Sequence, residues 1–401
     1  MTGSLFSSIE MAPRDPILGI TEAYNADTNP AKVNLGVGVY TDDTGKVPLL
    51  ECVKRAEAQL TTAAAPRSYL PIDGLASYDK QVQALVFGAD SSVVTEGRTI
   101  TVQSLGGTGG LKIGADFLKR FNADAEVWIS DPSWENHRAL FESAGFVVKT
   151  YPYYDAATHG VNFTGLLNAL ESAKPGTVIV LHACCHNPSG VDLTDSQWDQ
   201  VIEVVGRRQL VPFLDLAYQG FSRSIDEDGA VVRRFAATGR ALLVSNSFSK
   251  SFSLYGERIG AFHLVASSRE EAQRVLSQIK RVVRTNYSNP PTHGAQLVAT
   301  VLGTPELRAL WEQELSGMRD RIKVMRQSFV AKLKIRLPAQ DFSFVAHQNG
   351  MFSFSGLSQA QVARLKSEFS VYAVDSGRIC VAALNTRNID TVVEAIASVL
   401  S

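Results

Sequence analysis

The chain has 401 residues, of which 45% are hydrophobic and 20% charged, and its formal net charge is −1. This composition is ordinary for a folded chain with a large core, and about 150 residues per domain predicts two or three domains. A nearly neutral chain carries no basic footprint for nucleic acid and no polybasic signal for a membrane. The N-terminus has no secretory pattern, and four cysteines are too few for a disulfide scaffold. We therefore expect a soluble, cytoplasmic protein without nucleic-acid or membrane partners.

Short β-rich runs alternate with helical patterns through the middle of the chain. The runs are 99–103, 126–130, 146–151, 178–182, 211–215, 242–247 and 259–265. Between two of them, Thr194 and Gln197 have the spacing of a capping box, and an apolar stripe follows. Continuously apolar strands separated by helices predict an α/β fold, in which helices cover both faces of a mostly parallel sheet.

A long helix is predicted after this region, with Thr304 as its N-cap and Pro305 at its first position. Apolar residues recur at spacings of three and four from Leu307 to Leu333, before Pro338. At 1.5 Å per residue the helix is about 45 Å long, more than one domain usually needs. We expect it to bridge the α/β domain and a smaller α+β unit formed by the tail.

A glycine-rich segment, 104–110, follows the first run and precedes a helical run from Leu111 to Phe121. Such a turn exposes backbone amides at the positive end of a helix dipole, which suits a phosphate. In a dinucleotide-binding fingerprint the third glycine would stand at position 112, where this chain has Lys112. In a P-loop the residue before the lysine is glycine, and here it is Leu111, so both motifs are excluded. A tight strand–helix turn without a ligand is the alternative interpretation.

Other polar residues also stand where predicted strands end. Asp215 ends one strand, Tyr218 follows it, Asn187 lies in an Asn-Pro-Ser-Gly turn after another, and Lys250 follows a third. Alone, each has a simpler explanation as a helix cap, a turn residue or a surface lysine. Together at one sheet edge they suit pyridoxal phosphate, which needs an amine, an anion site, an acid for its pyridine nitrogen and donors for its phenolate oxygen. The histidine and cysteine spacing at 182–186 matches no usual zinc pattern, so no metal is predicted.

Ten segments, in order, resemble the aspartate and aromatic amino acid aminotransferases over essentially the whole chain. These segments are 33–40, 69–74, 106–109, 131–137, 186–190, 215–220, 247–250, 256–260, 286–291 and 376–378. Ser189 replaces the usual Thr and Gly110 the usual Ala, and neither change removes a functional group. The resemblance implies the fold-type-I pyridoxal-phosphate transferase fold, with a large domain at 46–317 and a small domain at 1–45 and 318–401.

The resemblance also implies roles for individual residues. Lys250 would bind the cofactor aldehyde and move the substrate proton, and Asp215, oriented by His137, would pair with the pyridine nitrogen. Asn187 and Tyr218 would hydrogen-bond the phenolate oxygen. Further cofactor contacts would come from Gly107, Thr108, Trp134, Ser247, Arg258 and, across a homodimer interface, Tyr69.

For the substrate, the resemblance implies that Arg378 binds the α-carboxylate, with help from Gly38, Trp134 and Asn187. Arg284 would serve the partner's site and pair with a distal carboxylate. Closure of the small domain over Arg378 and cis peptides at Asp131-Pro132 and Asn187-Pro188 are also implied.

The predicted reaction is transamination between an aromatic amino acid (Tyr or Phe, and also Asp) and 2-oxoglutarate. A strict aspartate aminotransferase is the main alternative. A different pyridoxal-phosphate reaction, a nucleotide-binding module that uses 104–110 and a non-catalytic ligand-binding regulator also stay open.

Overall fold

The computed structural model describes residues 4–12, 17–66 and 68–401. The helices are α1 (Leu18–Ala26), α2 (Glu51–Ala63), α3 (Ala76–Phe87), α4 (Ser92–Thr95), α5 (Gly106–Phe121), α6 (Glu135–Ser143), α7 (Phe163–Ser172), α8 (Asp195–Arg207), α9 (Ile225–Ala237), α10 (Arg269–Asn286), α11 (His293–Gly303), α12 (Pro305–Arg336), α13 (Phe344–His347), α14 (Gln359–Phe369) and α15 (Ile389–Leu400). The strands are β1 (Val33–Asn34), β2 (Thr99–Leu105), β3 (Glu126–Asp131), β4 (Val147–Pro152), β5 (Tyr154–Asp155), β6 (Gly160–Val161), β7 (Val178–His182), β8 (Val211–Leu216), β9 (Leu242–Ser247), β10 (Ile259–Val265), β11 (Phe352–Phe354), β12 (Val371–Tyr372) and β13 (Arg378–Cys380).

Within these ranges, seven strands form the central sheet in the order β2-β10-β9-β8-β7-β3-β4. Strand β10 is antiparallel to both of its neighbours, and the other pairs are parallel. Successive residues of β8 belong to separate buried clusters, Phe213 to one and Leu214 to the other. Both faces of the sheet are therefore covered, which is why its strands read as continuous apolar runs. The predicted mostly parallel α/β sheet is confirmed.

Helix α5 begins at Gly106, so the prediction that 104–110 forms a turn ahead of a helix from Leu111 is wrong. Glycine has a low helix propensity, but here it allows close packing between the helix and the sheet. A Cβ at Gly110 would lie 2.5 Å from Ser245 Oγ, and one at Gly114 would lie 2.4 Å from the Phe213 ring. The glycines thus let the first turns of α5 lie directly on the sheet.

Helix α12 begins at Pro305 as predicted, but the Thr304 hydroxyl makes no capping hydrogen bond. Its side chains hold the backbone of distant segments. Trp311 Nε1 donates to Ser251 O (2.7 Å), and Arg319 Nη1 donates to Gly220 O (3.3 Å). The boundary that the sequence predicts between the domains, at 317/318, falls inside this helix and stays a prediction.

The two ends of the chain meet in small sheets beside the central one. Strand β1 pairs in parallel with β12, and β11 pairs antiparallel with β13. Cys380 N, on the strand that carries Arg378, donates to Leu35 O (2.7 Å), so that strand lies beside the segment after β1. In the part of the chain that the structure describes, no helix is long and apolar enough to cross a membrane.

Candidate active site

A cavity of about 260 Å³ lies at the carboxyl edge of the central sheet. Most of the residues predicted for the site line it, namely Gly38, Gly107, Thr108, Trp134, Asn187, Asp215, Tyr218, Ser247, Lys250, Arg258 and Arg378. They come from the ends of four strands of the central sheet, the start of α5, the segment after β1, the residue before β10 and the strand β13. The expectation that segment 104–110, Asn187, Asp215, Tyr218 and Lys250 meet at one sheet edge is confirmed.

Asp215 forms the acidic end of the cavity. His137 Nε2 donates to Asp215 Oδ2 over 3.0 Å, and His137 Nδ1 contacts Ser133 Oγ at 2.8 Å. Burial alone would raise the pKa of Asp215, but the hydrogen bond and charge of His137, with smaller contributions from His182 and Lys250, lower it below the ordinary value. The carboxyl is therefore ionised at neutral pH and faces the cavity as an anion.

Lys250 brings an amine to the same cavity. Burial lowers its pKa to about 8, Asp215 opposes this change, and Arg258 adds to it. Its Nζ lies 4.9 Å from the centre of the Tyr218 ring, whose own pKa burial raises above the ordinary value. An appreciable fraction of neutral amine and a protonated phenol therefore face each other at neutral pH.

Another part of the cavity lining is suited to bind an anion. The first turn of α5, with Gly107 and Thr108, opens towards it, and unpaired amides at a helix start attract negative charge. Gly106 has a φ of +68°, and a Cβ there would lie 2.6 Å from Arg258 Nη2. The lack of a side chain at Gly106 thus lets a guanidinium lie directly against the helix start, where the two can hold the same anion.

Arg378 is almost fully buried on a third side of the cavity. Its Nη1 donates to Asn187 Oδ1 (3.2 Å) and its Nη2 to Gly36 O (2.6 Å), while Nε has no partner among the described residues. The Phe352 ring lies 4.4 Å from the guanidinium carbon. A cation held this way, with free donor capacity, suits a carboxylate that enters the cavity.

Tyr69 and Arg284 do not reach this cavity within the chain. Tyr69 is 93% exposed, and Arg284 is exposed and hydrogen-bonded to Ser288. Their predicted service to a partner's site therefore stays a prediction. Both predicted cis peptides, Asp131-Pro132 and Asn187-Pro188, are present.

Sequence reasoning missed other residues that line the cavity: Ile17, Leu111, His182, Ala217, Ser249, Tyr255 and Phe352. His182 pairs in register with Asp215, and neither of its ring nitrogens finds a partner in the described chain. Burial lowers its pKa to about 3, so the ring is neutral. The sequence offered one indication that His182 lines the cavity, namely its position at the end of a strand beside the strand of Asp215.

The match to a family model agrees with this fold and site. The model for aminotransferase class I and II matches residues 30–396. The chain therefore belongs to the class I and II aminotransferases, and it is an aminotransferase.

Individual relatives cover nearly all of the chain. It is 61% identical to an aspartate aminotransferase of Pseudomonas aeruginosa, over 99% of this chain and 100% of the relative. Among solved structures, it is similar to an aromatic-amino-acid aminotransferase from Burkholderia pseudomallei covalently bound to pyridoxal phosphate, with a TM-score of 0.97 and 64% identity over 99% of this chain and 100% of that one. It is also similar to a psychrophilic aromatic amino acids aminotransferase from Psychrobacter sp. B6 cocrystallised with aspartic acid, with a TM-score of 0.97 and 44% identity over 99% and 100% of the chains.

Proposed function

We propose that the cavity binds pyridoxal 5'-phosphate and that the chain transfers amino groups between aromatic amino acids, and also aspartate, and 2-oxoglutarate. The observation that carries the proposal is the arrangement of Lys250, Asp215 and the α5 start around one cavity. These groups are an amine, an acid and an anion site, which this cofactor needs together. A relative with 64% identity is covalently bound to the same cofactor.

The residues present fit the cofactor. Gly107, Thr108, Ser247 and Arg258 would hold its phosphate, Asp215 would face its pyridine nitrogen, and Trp134 would cover its ring. Asn187 and Tyr218 would donate to its phenolate oxygen. When bound, the cofactor supplies an aldehyde that takes up amino groups and a ring that withdraws electrons from the substrate Cα.

The chain's own residues would supply the proton transfers and the orientation. Lys250 Nζ, with its lowered pKa, would accept the proton from the substrate Cα and deliver it to C4′ of the cofactor. Asp215 would keep the pyridine nitrogen protonated, because its carboxyl stays ionised beside His137. Arg378 would bind the α-carboxylate through the donor capacity that its internal partners leave free.

A homodimer would complete the site. Tyr69 and Arg284 lie on the surface, away from the cavity of their own chain. We propose that Tyr69 contacts the partner's cofactor phosphate and that Arg284 meets the distal group of the partner's substrate. A two-fold symmetric pair is also the commonest oligomer.

Dual use of the substrate site fits the relatives. The names of the relatives divide between aspartate and aromatic amino acid aminotransferases, and one of the aromatic class was cocrystallised with aspartic acid. A guanidinium at Arg284 would pair with the distal carboxylate of aspartate and swing towards solvent when an aromatic ring enters. The alternative is a strict aspartate aminotransferase, which negligible turnover of Phe and Tyr by the wild-type enzyme would establish.

Replacing Lys250 with Ala tests the cofactor assignment. We expect the variant to lose the visible absorbance of the bound cofactor and its turnover. Lys332→Ala is the control, since Lys332 forms a surface ion pair with Asp390 outside the cavity. Turnover retained by the Lys250 variant would overturn the assignment.

Replacing Arg284 with Leu tests substrate choice. For aspartate, kcat/KM should fall by a factor that corresponds to about 3 kcal/mol or more of lost transition-state stabilisation, because a buried carboxylate loses its partner. Phenylalanine turnover should be largely unchanged. Arg281→Leu, one turn earlier on the exposed face of α10, is the matched control. Equal losses for the two substrates would contradict the swinging arginine.

A further inference from the structure

Arg326, in the C-terminal half of α12, is a buried cation without a carboxylate partner in the described chain. Its side chain is 2% exposed. Its Nη1 donates to Val345 O (3.0 Å) and to Ser353 Oγ. Its Nη2 donates to the carbonyl oxygens of Asn349 (3.3 Å), Gly350 (2.8 Å) and Phe352 (2.6 Å).

Burying such a cation costs free energy, so it is an inefficient way to stabilise a core. Burial lowers the pKa of Arg326 to about 10, so the charged form is penalised there, and its Nε lacks a partner among the described residues. A well-packed apolar side chain in place of a buried ion often leaves a protein equally or more stable. The distinctive effect of the arginine is geometric, because one planar guanidinium fixes several carbonyl oxygens of a single segment at once.

The segment that Arg326 holds, 349–353, supports two of the neighbours of Arg378, Phe352 and Asn187. Phe352 presents its ring 4.4 Å from the Arg378 guanidinium, and β11 pairs with the strand that carries Arg378. Asn349 N donates to Gly190 O (2.6 Å), in the turn that follows Asn187, and Asn187 Oδ1 accepts from Arg378. Two of the groups that orient Arg378 are therefore fixed to the segment that Arg326 holds, and Gly36 O is a third.

We propose that Arg326 is a positioning residue for the substrate α-carboxylate, which it influences through segment 349–353 and Arg378. This inference rests on the proposed function, in which Arg378 binds that carboxylate. Because all amino acid and 2-oxo acid substrates share this carboxylate, Arg326 affects the affinity for all of them equally. It has no effect on the choice between aspartate and aromatic side chains.

The test is Arg326→Lys in the holoenzyme, which keeps the charge but cannot hold several carbonyls in one plane. We expect KM to rise about tenfold for both Asp and Phe, the size of a lost hydrogen bond to a charged group. The inhibition constant of 3-phenylpropanoate, a non-reactive carboxylate, should rise by the same factor. The cofactor's visible absorbance should stay unchanged and kcat should fall less than KM rises.

Phe329→Leu is the matched control, since Phe329 is buried on the same helix about one turn later and its apolar ring donates no hydrogen bond to segment 349–353. This variant should have a lower melting temperature and an unchanged KM. Wild-type KM values in Arg326→Lys, with only a lower melting temperature, would overturn the proposal. If that variant does not fold, Ser353→Ala removes one acceptor and should raise both KM values about two- to threefold; unchanged values there would also overturn it. Absence of transamination by the wild-type enzyme would instead refute the proposed function.

Discussion

The amine of Lys250 should react with aldehydes at neutral pH far faster than surface lysines do. Burial lowers its pKa from the ordinary 10.5 to about 8. At pH 7 about one tenth of such an amine is neutral, against about one part in 3,000 for an ordinary lysine. Since the neutral amine is the nucleophile, the reaction should be about 300-fold faster at equal intrinsic reactivity.

The assay uses enzyme from which the cofactor has been removed. A small aldehyde and a mild hydride reductant trap the adduct, and mass spectrometry follows the peptide that contains Lys250 from pH 6 to pH 10. The rate should level off above pH 8. The peptide with Lys54, whose side chain is 56% exposed, provides the internal reference. A Lys250 rate that rises in parallel with the Lys54 rate up to pH 10 would refute the reasoning.

Three more substitutions have defined outcomes. Asp215→Asn removes the charge that raises the pKa of Lys250, so the trapping profile should level off at a lower pH than in the wild type. Gly317→Ala should raise the free energy of unfolding by about 0.5–1 kcal/mol in a denaturant titration, because a Cβ there meets no described atom within 4 Å beyond its own stretch of helix and glycine is a poor helix former. Burial raises the pKa of Asp79 from 3.8 to about 8, so the folded chain holds a proton that the unfolded chain has lost, and stability falls as pH rises through this window. Asp79→Asn should remove that fall, so its melting temperature should exceed that of the wild type by an amount that grows between pH 4 and pH 8; a constant difference would contradict the assignment.

The strands and the long helix could be predicted because burial leaves a direct pattern in the sequence. Strands covered on both faces are apolar throughout, and the predicted ends lie within two residues of the observed ones. The start of α5 could not be predicted in the same way. Its glycines indicate a turn by local propensity. They are tolerated in a helix because the helix packs closely against Ser245 and Phe213, which lie more than 90 positions away in the sequence.

The site residues differ in the same way: some could be predicted from local sequence, and others could not. Lys250 and Asp215 follow or end strands, and the rule that ligands bind at the carboxyl edge of a sheet was enough to bring them together. Phe352 lies on a three-residue strand far along the chain, and no local pattern connects it with the sheet edge. The apolar stripe of α12 includes Met325 but gives no reason to bury the neighbouring Arg326, because its acceptors are backbone carbonyls that leave no signature in the sequence.

Helix α12 holds two segments that border the cavity. Trp311 binds the residue after Lys250, and Arg326 binds the segment beside Arg378. The two anchors are fifteen helical steps apart, a distance of about 22 Å along the helix axis. Deleting one residue between them would turn the second anchor by about 100° around the helix axis and withdraw it from its carbonyls. Surface loops can change length without such an effect. We therefore expect evolution within this family to insert and delete residues in the loops while keeping the count from 311 to 326 constant.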